Sequence, residues 1–183
     1  MRLALPALIM ISVMLFGAAI YLIPSPRLGE EWPLPPESVS FTEFSSKLNS
    51  TSFSSKSFFL LGYQPVFSLG SGFEFPIGTN AYLYSLGYGN DTLMLLVISK
   101  LPDAQSSLQF GARAISRVRE KLPSESVKYL FTDEGGYLIF TERNQTLSIW
   151  YGRSWFIETL ITGSKCEEAL KSLKELILSA IKS

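Results

Sequence analysis

An uncharged apolar run near the amino terminus restricts this chain more than any other feature. From Leu3 to Ile23 the sequence reads LALPALIMISVMLFGAAIYLI, which is 21 residues without a charged side chain. As a helix that rises about 1.5 Å per residue, the run is roughly 30 Å long, which matches the hydrocarbon core of a bilayer. We therefore predict a single transmembrane helix over residues 3–23, within an anchor of residues 1–24.

The same run has a second interpretation, a signal peptide that is cleaved near Ala19. The apolar core of a signal peptide usually spans about 7 to 15 residues, whereas this run continues past Ala19 to Ile23. Its length favours an uncleaved signal-anchor and leaves secretion after cleavage as the alternative. Arg2 precedes the run, and Arg27 follows it together with two acidic residues. Because flanking positive charge stays inside, we expect a single-pass protein of the cell membrane with residues 25–183 outside the cytoplasm.

A proline-rich stretch separates the anchor from the rest of the chain. Five prolines lie between residues 24 and 37, and such a composition is typical of a stiff, extended segment. We predict a linker over residues 25–39 and a folded domain over residues 40–183. Trp32, inside this linker, is expected either to lie among lipid headgroups or to dock on the domain.

The pattern of the remaining residues predicts an α+β fold, with a mainly antiparallel sheet of about seven strands, two long helices and one short helix. Ser40, Asp103 and Ser164 are the expected helix caps, and the helices are predicted at 41–49, at 104–122 and from 164 onward. Loops of two or three residues join the last four strands, which predicts an antiparallel meander. The predicted strands are 58–63, 81–88, 92–99, 127–132, 136–142, 146–151 and 154–162.

Several predicted strands are apolar on both faces. In the last strand, Phe156 and Leu160 lie on one face, while Ile157 and Ile161 lie on the other. Helices must then cover both faces of the sheet, or an apolar surface stays uncovered and is used for association. This pattern is the strongest argument in the sequence for a protein partner or for self-association.

Charge and composition exclude several classes of function. Lysine plus arginine and aspartate plus glutamate are both 16, which argues against a nucleic-acid binder. The chain has no histidine and one cysteine, so histidine-based triads and histidine-liganded zinc are excluded. Neither a G-x-S-x-G motif nor a phosphate-binding loop is present. We expect no enzyme activity, no cofactor and no metal site.

Two aromatic groups are candidate partner or ligand surfaces. The first flanks a tight turn, where an exposed hairpin tip would grip a partner, and the alternative is cross-strand pairing within the core. Its residues are Trp150, Tyr151, Arg153 and Trp155. The second lies in the glycine-rich loop 64–80, which is either a docking loop or a packed irregular loop. Its residues are Phe67, Phe73 and Phe75.

Three asparagines are candidate N-glycosylation acceptors. Asn49, Asn90 and Asn144 each begin an N-x-[ST] sequence. The alternative is that these asparagines mark turns, in which asparagine is common.

These observations favour a membrane-anchored extracytoplasmic module that acts by binding, either as a non-catalytic accessory subunit or as a surface protein. The alternative is a carrier that holds a small apolar ligand or a lipid in a pocket near loop 64–80. A hydrolase that uses a serine and a lysine is a remote third hypothesis.

Overall fold

The computed structural model of the chain describes residues 31–52, 57–69, 73–123 and 126–182. The predicted anchor over residues 1–24 lies outside these described residues, as does the first part of the predicted linker. Within the described ranges, no helix is long and apolar enough to cross a membrane.

The described strands form one seven-stranded sheet and one small ribbon. In the sheet the strand order is β1-β4-β5-β9-β8-β7-β6, and all neighbouring strands are antiparallel, while β2 and β3 pair separately. The predicted α+β domain with a seven-stranded antiparallel sheet is confirmed. The strands are β1 (Phe58–Pro65), β2 (Ser68–Leu69), β3 (Phe73–Glu74), β4 (Asn80–Tyr88), β5 (Thr92–Lys100), β6 (Val127–Thr132), β7 (Gly135–Glu142), β8 (Gln145–Gly152) and β9 (Trp155–Thr162).

Among the described residues, three helices pack on this sheet, and two of them have the predicted caps. They are α1 (Phe41–Ser52), α2 (Ala104–Arg119) and α3 (Cys166–Lys182). The Ser40 hydroxyl accepts a hydrogen bond from the Glu43 amide at 3.1 Å, and the Asp103 carboxylate accepts one from an amide in the first turn of α2 at 2.6 Å. Helix α3 begins two residues later than predicted, because the Ser164 hydroxyl donates to a carboxylate in the β4–β5 turn.

The sheet has a hydrophobic core on each face. Helices α1 and α3 cover one face, and α2 lies on the other face, over β7, β8 and β9. Alternate residues of a strand point to opposite faces, so Ile157 and Ile161 belong to the first core and Phe156 belongs to the second. Helices on both faces are one of the two outcomes that the doubly apolar strands predicted.

The second half of the predicted linker packs on the domain. Trp32 is buried in the first core, so it docks on the domain and does not lie among headgroups. The indole N–H groups of Trp150 and Trp155 donate to the carbonyl oxygens of Pro33 and Pro36, at 2.9 Å and 3.3 Å. These bonds satisfy two buried donors, and they attach the incoming chain at the β8–β9 turn.

The strand register gives the sheet two distinct ends. The chain enters at the end that holds the β8–β9 turn, which we call the entry end. Thr162 closes β9 at the opposite end, where it pairs with both Leu93 and Gln145. The β4–β5 turn and the β7–β8 turn therefore lie together at this second end, which we call the far end.

Candidate binding surface

The aromatic residues around the β8–β9 turn lie in the two cores. Trp150 and Trp155 are buried in the first core, and Tyr151 is buried in the second. This corrects the prediction that these residues form an exposed surface that binds a partner. They are paired across strands within the core, which was the alternative. The physical reason is that each face of β8 and β9 is covered here by a helix. Arg153 alone stays exposed at the tip, where its guanidinium donates to the carbonyl oxygen of Leu34 at 3.1 Å.

The glycine-rich loop is packed over part of its length. The rings of Phe73 and Phe75 lie 4.9 Å and 5.0 Å from the ring of Phe110 on α2, while Phe67 is exposed. A surface cleft of about 430 Å³ adjoins this loop. Half of its lining residues are charged, and the carrier of an apolar ligand or a lipid stays an untested alternative. The lining residues are Phe73, Ala112, Arg113, Ser116, Arg117 and Glu120.

The three candidate glycosylation acceptors lie toward the far end. Asn90 and Asn144 are exposed in the β4–β5 and β7–β8 turns. Asn49 lies near the end of α1. This helix runs toward the far end, since its first residue, Phe41, packs on Trp155 at the entry end with 6.3 Å between the ring centroids, while the Ser45 and Tyr84 hydroxyls are 2.7 Å apart, part-way along β4. Glycosylation of these residues stays a prediction.

An apolar surface stays uncovered on the sheet face that carries α2. Phe59 on β1, Leu93 and Leu95 on β5, and Leu160 on β9 are 47%, 58%, 45% and 41% exposed. We call these four residues the uncovered face. Leu95 pairs directly with Leu160, and Leu93 lies two residues nearer the far end. The four side chains therefore form a band across β1, β5 and β9, on the part of this sheet face that lies beyond α2.

A glycine joins the β1 part of this band to the rest. Gly87 lies between Phe59 and Leu93 in the same cross-strand row. A Cβ atom at Gly87 would overlap the ring of Phe59, so that ring lies across the glycine. The aromatic ring thereby extends the uncovered face over β4, where no larger side chain separates Phe59 from Leu93.

One carboxyl group adjoins the uncovered face. Glu158 lies on the same face of β9 as Leu160, and it pairs with Val97 on one side and Ile149 on the other. Its Oε2 oxygen is buried and accepts no hydrogen bond from the described residues. Burial in this apolar setting raises the pKa of Glu158 to about 7.

Two features of the sequence of β9 point to this surface. The doubly apolar pattern of the last strand predicted either helices on both faces or an uncovered apolar face, but it did not distinguish Leu160 from the buried Phe156. A lone glutamate among apolar neighbours, at Glu158, was the available signal for the carboxyl group.

Comparisons with known proteins show a solved structure with a similar fold, and they assign the chain to no family. No family model matches the chain, and no curated protein matches it significantly. A GTP binding regulator from Thermotoga maritima is similar in structure, with a TM-score of 0.52 and 12% identity over 78% of this chain and 90% of that chain. The extracellular domain of PknH from Mycobacterium tuberculosis aligns with a TM-score of 0.41 and 7% identity, over 79% of this chain and 90% of that chain. The first similarity shows that the fold is shared, and it shows the fold alone.

Proposed function

We propose that this chain is a membrane-anchored extracytoplasmic binding module, an accessory subunit or a surface protein, that binds a protein partner through the uncovered face and catalyses no reaction. The observation that carries the proposal is the contiguous band of four large apolar side chains, each 41–58% exposed. Contiguous apolar surface on a folded domain is typical of an interaction site.

The direction of the chain supports the same proposal. The predicted anchor precedes the entry end, where the Pro33 carbonyl oxygen receives the Trp150 indole N–H. Leu93 and Leu160 lie toward the far end of the sheet. A domain held at its entry end would present the uncovered face away from the membrane, where a partner has access to it.

Site-specific photo-crosslinking in native membranes tests the proposal. The full chain would carry p-benzoylphenylalanine in place of Leu160, and the control would carry it in place of Lys171, which is exposed on α3. We expect one adduct of defined mass from position 160 and none from position 171. In a second chain, the crosslinker replaces Leu93. Adding Leu160→Lys to this chain should reduce the yield of the adduct formed from position 93. A monodisperse monomer that gives no adduct from position 160 would end the proposal.

The intact mass of the purified protein tests the anchor separately. A chain that begins at Met1 keeps the predicted helix over residues 3–23, and a partner that co-purifies with it is then a membrane-complex subunit. A chain that begins near Ile20 is a secreted domain, which would support the cleavage alternative.

A further inference from the structure

The position of Glu158 relates it to the uncovered face. Strand register places it on β9 between Val97 and Ile149, and the next residue on the same face, Leu160, is part of the uncovered face. The carboxyl group therefore lies at the boundary between the part of the sheet under α2 and the exposed band.

The bonding of this carboxyl group is incomplete. Its Oε2 oxygen is buried without a hydrogen-bond donor among the described residues. Burial, and not a neighbouring charge, accounts for the raised pKa of Glu158. Glu158 as a whole is half-buried, but a buried carboxyl oxygen without a donor is unfavourable, and it is more so when the group is ionised. A donor that arrives with a binding partner would remove this cost, most effectively if the donor is positively charged.

We propose that the uncovered face binds an apolar segment of a partner protein that carries one lysine or arginine, and that this basic group pairs with the carboxyl group of Glu158. The inference rests on the proposed function and specifies the chemistry of the partner. The four residues of the uncovered face offer only apolar contact, and they would bind a basic and a neutral apolar segment equally well. The carboxyl group of Glu158 beside them would make a basic segment bind more tightly than a neutral one.

A second copy of the chain fits this surface less well than a basic partner does. A two-fold symmetric contact brings the same patch of both copies together. Such a contact through the uncovered face would place two Glu158 carboxyl groups in one interface, and Phe59, Leu93, Leu95 and Leu160 supply no cation to either of them. Charge complementarity therefore favours a different protein as the occupant.

Blocked peptides test the inference on the full chain in lipid nanodiscs. The probe is acetyl-Leu-Val-Lys-Val-Leu-amide with a fluorescent label, and the matched probes replace its lysine with norleucine or glutamate. Fluorescence anisotropy, corrected for binding to empty nanodiscs, measures affinity for the wild-type chain, for Glu158→Gln and for Glu142→Gln. Glu142 is an exposed glutamate at the end of β7 and is the control position.

We expect the wild-type chain to prefer the lysine peptide over the norleucine peptide by about tenfold. The Glu158→Gln substitution should remove most of this preference, while Glu142→Gln should preserve it. Cooperative thermal unfolding of each variant shows that it is folded, and Glu158→Leu serves as a second variant with the same expected loss. Equal affinities for the lysine and norleucine peptides, or an undiminished preference in folded Glu158→Gln and Glu158→Leu, would overturn the inference.

The two proposals fail in distinguishable ways. If photo-crosslinking from position 160 yields a defined adduct but the peptides show no lysine preference, the role of Glu158 is wrong and the binding face stands. If position 160 yields no adduct and no peptide binds above the empty-nanodisc level, both proposals are wrong.

Discussion

Phe156 and Leu160 lie four residues apart on the same face of β9, yet Phe156 is fully buried and Leu160 is 41% exposed. The ring of Phe156 packs edge-on against Phe110 of α2, with 5.0 Å between the ring centroids. Leu160 lies beyond α2 and pairs with Leu95, which is itself exposed. The second core thus ends where α2 ends. The side chains beyond that point on the same sheet face form the proposed binding surface.

Truncation of these two side chains should have unequal effects on stability. Phe156→Ala should lower the free energy of unfolding by about 3–5 kcal/mol, because it leaves a cavity against Phe110. Leu160→Ala should lower it by less than about 1 kcal/mol, because the side chain is already partly in water. Urea denaturation followed by tryptophan fluorescence measures both. Similar losses for the two variants would mean that Leu160 is covered.

The stability of the domain should depend on pH through Glu158. Folding raises the pKa of Glu158 from 4.5 to about 7, so between these pH values the folded state binds more protons than the unfolded state. The free energy of unfolding should therefore fall by about 3 kcal/mol as the pH rises through this window, and then level off.

Comparison with two variants isolates this contribution. Glu158→Gln should lack the decline in stability between about pH 4.5 and about pH 7, while Glu142→Gln should retain it. Urea denaturation at a series of pH values measures the difference. If the free energy of unfolding changes with pH in the same way for the wild type and for Glu158→Gln, the carboxyl group is not buried in solution.

The contact between Phe59 and Gly87 should appear as energetic coupling. Gly87→Ala places a methyl group where the Phe59 ring lies, so we expect a loss of about 1–3 kcal/mol from overpacking. In a Phe59→Ala background the same substitution should cost less than about 1 kcal/mol. A double-mutant cycle of unfolding free energies measures the coupling, and additive effects would indicate that the ring does not lie over the glycine.

Trp32 should hold the incoming chain on the domain. It is buried in the first core, stacks on Tyr137 at 4.9 Å, and has the Lys174 ammonium 3.4 Å from its ring centroid. Trp32→Ala should destabilise the domain by about 3–5 kcal/mol and expose residues 31–39 to protease. Glu37→Ala, at an exposed position in the same segment, is the control. Limited proteolysis with mass spectrometry compares the variants, and equal cleavage in both would contradict the docking.

Glycosylation should be visible at two exposed turns. In a host that glycosylates N-x-[ST] sequences, Asn90→Gln and Asn144→Gln should each remove the mass of one glycan, because both asparagines are exposed at the far end. Intact mass before and after glycosidase treatment checks this. An unmodified wild-type chain exported by such a host would show that the two asparagines serve only as turn residues.

Local signals explain how much of the fold was predictable. The Ser40 and Asp103 caps, and the two-residue turns of the meander from β6 to β9, act between neighbours in sequence, and the structure contains them. The later start of α3 was not predictable in this way, because Ser164 bonds to Asp91, 73 residues earlier in the chain. The choice between a core and a surface role for Trp150 was equally non-local, because it depends on a bond to Pro33, 117 residues away.

By itself, the sequence determined the α+β class, the antiparallel meander and the presence of apolar residues on both faces of the strands, because each follows from periodicity and turn chemistry over a few residues. Only the tertiary structure decided where α2 ends across the sheet. That placement buries Phe156, exposes Leu160 and leaves the Oε2 oxygen of Glu158 without a donor from the part of the chain that the structure describes. The period of a strand specifies the face on which a side chain lies, but the packing of a distant helix decides whether that face meets protein or water.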